Sequence, residues 1–331
     1  LSILLASAAF VAPAPAATPP KAAKSNAQFE ALPLTRSGQN HLLVRAYINE
    51  KPALLIVDTG SPGTVINSKR RAYFGLNSAP ASMKWPRQVQ VNGAFNNLVI
   101  AHNLRLGALN VVDVPVVLAD MSGARQAARM LHEQQADGIL GADALFSTKA
   151  ILDCQEQVLF LNMYPERAGR MPGLDFRGFQ SMPMVMSEGL NFYVDSSING
   201  TAARLMVDTG AFATLLHRPF VRGLHIPVRE TRLQSARINL ADDDVEVARI
   251  RKLSLGLVDI LGKQVGVTDL GGVLHNGLQS SPPVVGLLGG EILHRNHAII
   301  DFGTQKLYLR RDTDQPDRPA RNSPRSTRSR P

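Results

Sequence analysis

Apolar and polar positions alternate over short stretches along most of the chain. Leu42, Val44, Ala46 and Ile48 take every second place, the period of a strand with one buried face. Asn49-Glu50 follows that run and Asn199-Gly200 follows a similar one, so both dipeptides predict hairpin turns. Residues 54–57 are continuously apolar, as in a strand buried on both sides. Helical spacing is confined to short stretches at 125–135, 142–146 and 290–294. The pattern predicts a mainly β body.

That body is written twice. Residues 29–34 (FEALPL) recur as 179–184 (FQSMPM), and 41–66 align without a gap on 191–216, both at an offset of 150. Leu104-Arg105-Leu106-Gly107 matches Leu253-Ser254-Leu255-Gly256, and 139–145 match 287–293, so the offset drifts only to 148. A period this long with two copies means duplicated lobes rather than a solenoid. The lobes are expected at 28–165 and 178–310, joined by a linker at 166–177. Each has enough residues to bury a core of its own.

Composition bears mostly on the ends. Of 331 residues, 44% are hydrophobic and 19% charged, which is normal for a globular protein and wrong for a disordered one. The single cysteine, Cys154, excludes an internal disulfide framework and a cysteine-rich metal site. The formal charge of +9 suggests polyanion partners, but the last 22 residues hold seven arginines against three aspartates. The body is therefore only mildly basic. Residues 311–331 lack apolar periodicity and read as a disordered basic tail that makes at most a weak polyanion contact, with no aromatic interleaving for specific nucleic-acid binding. Residues 1–27 read as the remnant of a signal peptide and a linker, since the apolar run is short and broken by Pro13 and Pro15. Export to the periplasm or outside the cell is the expectation.

In both copies the buried strand runs into Asp-Thr-Gly, at Asp58-Thr59-Gly60-Ser61 and Asp208-Thr209-Gly210-Ala211. An acid directly after four apolar positions must be paired, hydrogen-bonded or placed at a cleft. Glycine lets backbone N–H groups approach the carboxylate, and threonine can tie the loop to a neighbour.

Two such loops in a duplicated chain resemble the aspartic proteases, closer to the bacterial retropepsin-like group than to pepsin. The second mark is an apolar pair and glycine, Ile139-Leu140-Gly141 and Leu287-Leu288-Gly289. The resemblance implies two retropepsin-like β-barrel lobes about a pseudo-two-fold axis, with the active site between them. It implies a catalytic dyad of Asp58 and Asp208, interlocked Thr59 and Thr209, and loops threaded past Gly141 and Gly289. A flap is placed at 89–100 with Asn92, Gly93, Ala94 and Phe95 at its tip, and a second at 238–245 with an acidic tip. Ser61 is expected to donate to the outer oxygen of Asp58, which Ala211 cannot do for Asp208. The implied activity is that of an aspartic endopeptidase acting on peptides or proteins, monomeric, with no cofactor and no metal. The alternative is a peptide-binding or scaffold protein that keeps the fold without catalysis.

Other motifs are weaker. Asp301-Phe302-Gly303 has Asp153-Cys154-Gln155 as its repeat partner and reads as a turn between strands rather than a kinase motif. His132-Glu133-Gln134-Gln135-Ala136 lacks the closing histidine of a zinc protease. His294 and His297 have no further ligand nearby and read as surface histidines. No Gly-x-Ser-x-Gly supports a serine nucleophile.

Overall fold

The computed structural model describes residues 28–310 apart from 81, 83–85, 92–93, 123–133, 168–173, 188 and 238–239. The leader and linker read at 1–27, the tail at 311–331, most of the helix at 125–135, His132 and Glu133, and part of the interlobe linker lie outside the described residues.

In the first half, nine strands form one sheet. Leu42–Ile48 pairs antiparallel with Lys51–Val57 through Asn49-Glu50. Both turn residues have positive φ, 48° and 62°, the handedness that suits the twist of the flanking strands. Lys51–Val57 then runs parallel to Gly138–Leu140, which pairs with Val65–Asn67, followed by Leu109–Ala119 and Ala94–Leu106. Tyr47 opposite Arg105 and Ile48 opposite Leu104 join the far end of the sheet back to its start. The sheet thus curls into a barrel. Lys51–Val57 is interior to it, and Leu55 and Val57 are fully buried, which is why that stretch is uninterruptedly apolar.

The second half repeats this order. Phe192–Ile198 pairs with Thr201–Val207, which runs parallel to Val284–Leu288, followed by Leu215–His217, Gln264–Thr268 and Leu240–Arg249. Short helices follow the two apolar-pair glycines, at Ala142–Ser147 and Gly290–Arg295. Each begins where the extended backbone of Gly141 or Gly289 turns over.

A third sheet of six strands joins the halves. At its centre Ile151–Asp153 pairs antiparallel with Ile299–Asp301, and Leu152 lies opposite Ile300. Those two residues are repeat equivalents, so the local two-fold passes between them. Phe29–Pro33 and Val158–Asn162 extend the sheet on one side, Lys306–Leu309 and Gln180–Pro183 on the other. Phe192 packs edge-on against Phe302 with ring centroids 5.1 Å apart. One hydrophobic cluster contains Leu55, Leu152, Phe192, Leu205 and Ile300, so the lobes share a core. Asp301-Phe302-Gly303 forms the turn between Ile299–Asp301 and Lys306–Leu309, with the Asp301 carboxylate accepting from the Thr304 N–H and hydroxyl.

The second flap differs from its expected form. The hairpin comprises Val228–Arg237 and Leu240–Arg249, with Arg237 opposite Leu240. The acidic run at 242–244 therefore lies within the returning strand instead of at the tip. Asp243 accepts from the Thr268 hydroxyl at 2.6 Å, the Asp269 N–H at 2.8 Å and Arg218 at 3.1 Å. A carboxylate with three donors is part of the packed structure, so the expectation of an acidic tip is withdrawn.

Candidate active site

Each Asp-Thr-Gly loop leaves the end of its buried strand with its direction fixed by the backbone. The Asp58 N–H donates to the Leu140 carbonyl and the Asp208 N–H to the Leu288 carbonyl, both at 3.1 Å. The loop then folds back on its own carboxylate. One oxygen of Asp58 accepts the N–H groups of Gly60 at 2.8 Å and Ser61 at 3.2 Å. One oxygen of Asp208 accepts those of Gly210 at 2.9 Å and Ala211 at 3.0 Å. Two backbone donors on one oxygen leave the other free to face the opposite lobe.

The two loops interlock. Thr59 N–H donates to the Thr209 hydroxyl and Thr209 N–H to the Thr59 hydroxyl, each at 3.1 Å. The Thr59 hydroxyl donates to the Val207 carbonyl and the Thr209 hydroxyl to the Val57 carbonyl, each at 2.7 Å. A threonine hydroxyl can do both because it carries one donor and two lone pairs. The glycines are required by the opposite carboxylate. A Cβ on Gly60 would fall 2.5 Å from Cγ of Asp208, and one on Gly210 2.3 Å from Cγ of Asp58.

Asp58 and Asp208 face each other across the interlocked loops, each carboxyl lying against the glycine whose N–H holds the other. Burial pushes both carboxyls above the ordinary aspartate range, with Asp208 raised further by the charge and hydrogen bond of Asp58. Asp58 is pulled back by the Gly60 N–H, by Asp208 and by the charge of His41. The two titration steps belong to the pair rather than to either carboxyl. Ser61 does not supply this asymmetry as expected: its hydroxyl donates to the Gly63 carbonyl at 2.8 Å, and only its backbone N–H reaches Asp58. A hydroxyl has one proton to give, and the turn puts the Gly63 oxygen in its path.

Residues 44–144 match the family model for aspartyl proteases, and residues 194–295 match that for gag-polyprotein putative aspartyl proteases. The chain belongs to the aspartyl proteases. It carries two such domains. A search of curated proteins finds no sequence match. Among solved structures, the crystal structure of Basic 7S globulin from soybean is similar at 11% identity and a TM-score of 0.43, covering 86% of this chain and 95% of that chain. A likeness this loose bears on neither fold nor activity.

Each aspartyl protease domain also supports its loop from behind. A Cβ on Gly141 would lie 2.4 Å from the Gly63 carbonyl, and one on Gly289 2.3 Å from the Ala213 carbonyl carbon, so the chain passes the loop at backbone contact. Gly141 N–H donates to the Thr64 hydroxyl and Gly289 N–H to the Thr214 hydroxyl. Sequence reasoning missed the next layer. Asp143 accepts the Thr64 N–H at 3.0 Å and its hydroxyl at 2.8 Å, and Glu291 accepts the Thr214 N–H at 2.8 Å. An acid two residues after the glycine in both copies was the available signal.

In the first domain, Gln88–Val91 pairs with Ala94–Leu106 as a hairpin, with Val91 opposite Ala94. Val89 and Val91 pack on the cluster that contains Ile56 and Ile139, the apolar residues leading to Asp58 and Gly141. Phe95, beside the turn, is 71% exposed and Ala94 is half-buried, while Asn92 and Gly93 lie outside the described residues. The matching face of the second domain, around Met206 and Leu287, is covered by Leu270, Val273 and Leu274.

Other candidates for chemistry lie apart. Cys154 is buried and its thiol is pushed up to about 12 by burial, which makes it a poor nucleophile. His294 and His297 are half-buried, a correction to their reading as surface groups: His294 sits against the Cys154 carbonyl and Arg36. Among the described residues no group of three His, Cys, Asp or Glu side chains could hold a metal ion, and no helix is long and apolar enough to cross a membrane.

Proposed function

We propose that the chain is an aspartic endopeptidase whose one active site is formed by Asp58 and Asp208 within a single polypeptide. The observation carrying this reading is the juxtaposition of two carboxyls, each against the glycine of the opposite loop and each fixed by two backbone N–H groups on one oxygen. Two carboxyls so close cannot both ionise cheaply, so they share a proton over a useful pH range, the behaviour for which this class serves as the general example. The ionised partner, Asp58, takes a proton from a water held between the two. Protonated Asp208 donates to the scissile carbonyl oxygen. Water oxygen bonds to the carbonyl carbon, and the resulting tetrahedral species collapses with proton transfer to the leaving nitrogen. No acyl-enzyme forms. The substrate is an extended peptide laid between the lobes, its backbone paired with hairpin 88–97 in the manner of an added strand.

Digestion of a denatured protein or peptide library tests the reading. Cleavage by the wild-type chain that is lost in Asp58→Asn supports it. A folded wild-type chain that binds the peptides without cleaving them points to the scaffold alternative.

A further inference from the structure

The turn before each first lobe strand is closed by the same hydrogen bonds in the two halves. Ser37 N–H donates to the His41 carbonyl and Ser187 N–H to the Asn191 carbonyl, both at 2.9 Å. The serine hydroxyls accept the His41 and Asn191 N–H groups at 3.2 and 3.3 Å, and Asn40 and Leu190 share a left-handed φ of 60° and 59°. The side chains at the equivalent place differ. Nε2 of His41 reaches across the lobes to the Gly210 carbonyl at 3.0 Å, and the Asn40 amide donates to the Phe212 carbonyl at 3.2 Å.

Gly210 is the residue whose N–H holds Asp208 and whose Cα lies against the Asp58 carboxyl. A ring bonded to its carbonyl is one residue from both acids. We infer that His41 is a positioning residue for the dyad: it ties down the loop that orients Asp208 and places a positive charge beside Asp58, where the second lobe has only Asn191. The inference rests on the dyad reading. Its effect is directional, because imidazoles are charged through the acidic range in which carboxylates titrate, and a nearby cation favours the ionised acid. The charge of His41 lowers the Asp58 carboxyl, against the larger upward effect of burial.

The surrounding charges do not cancel this. Asp58 closes strand Lys51–Val57 and Asp208 closes Thr201–Val207. Arg36, at the foot of the turn, is directed to the Asn40 and Cys154 carbonyls. On the helix Gly290–Arg295, which packs against Asn40, Glu291 is held by the Thr214 N–H and by Lys263. His294 on the same helix faces Cys154 and Arg36.

His41→Gln keeps an N–H donor for the Gly210 carbonyl and removes the charge, and His41→Arg restores a charge. The test is the pH–rate profile of peptide cleavage together with a carbon-13 titration of the aspartate carboxyls in the same proteins. The expected result is an upward move of the acidic limb and of the lower carboxyl step in His41→Gln, with return toward wild type in His41→Arg. An unchanged lower step in folded His41→Gln overturns the inference, as does a shift that His41→Arg leaves in place. If the wild-type chain cleaves nothing, the endopeptidase reading fails. The carboxyl titration still decides the coupling, with an upward step in His41→Gln supporting it and an unmoved one rejecting it.

Discussion

Thr59 and Thr209 exchange hydrogen bonds in both directions across the lobe boundary, each hydroxyl accepting the other's N–H at 3.1 Å. Both are buried, at 0% and 2% exposure. The contact joins the loops that carry the two acids, so it couples lobe association to dyad geometry. Removing one hydroxyl leaves a buried N–H and a buried carbonyl unpartnered, at a cost of about 1–3 kcal/mol. Thr59→Ala and Thr209→Ala should each lower the urea midpoint accordingly and reduce kcat, whereas Thr59→Ser should retain most of both. Equal stability of Thr59→Ala and wild type would show that the interlock contributes nothing.

Gly210→Ala should be more damaging to turnover than its size suggests. The added methyl would sit 2.3 Å from Cγ of Asp58, so the carboxyl or the loop must move. An active site misplaced by about 1 Å loses on the order of a hundredfold in rate. Gly63→Ala is the control, because nothing lies within 4 Å of a Cβ there. Similar kcat values for the two variants would contradict the cross-loop contact.

Asp243 makes the second hairpin sensitive to acid. Its carboxyl is lowered to about 2, first by the Thr268 hydroxyl, then by the Asp269 N–H and Arg218. A carboxyl lowered on folding adds stability that is fully present above its unfolded value of about 3.9 and is lost as pH falls toward the folded one. Thr268→Val removes the leading donor at a buried position and should raise the pH of acid unfolding. Arg218→Met should raise it less. The reverse order in an acid titration followed by circular dichroism would reassign the cause.

Much of this was legible because it repeats. Leu54-Leu55-Ile56-Val57 reads as a buried strand since its place inside the sheet demands apolar side chains on both faces, and the acid that follows stands out for that reason. The pairing of Leu152 with Ile300 was not legible, because it is made by backbone groups that every residue carries. The acidic run at 242–244 misled because three acids look like a turn, while the register that places Asp243 against Thr268 and Arg218 is set by a strand some distance away in sequence. Ser61 misled in another way: the residue type was suited to the expected bond, and the local turn offered its hydroxyl the Gly63 carbonyl instead. His41 carried no signal beyond differing from Asn191.

One chain supplying the whole dyad is tested most directly by assaying Asp58→Asn and Asp208→Asn separately and mixed, on a neutral peptide that the wild type cleaves. Each variant should fold, with its thermal midpoint close to that of the wild type, and each should be inactive. The mixture should be inactive as well, because every chain would still pair an aspartate with its own asparagine. Substantial activity in either single variant, or its recovery on mixing, would contradict a site closed within one polypeptide.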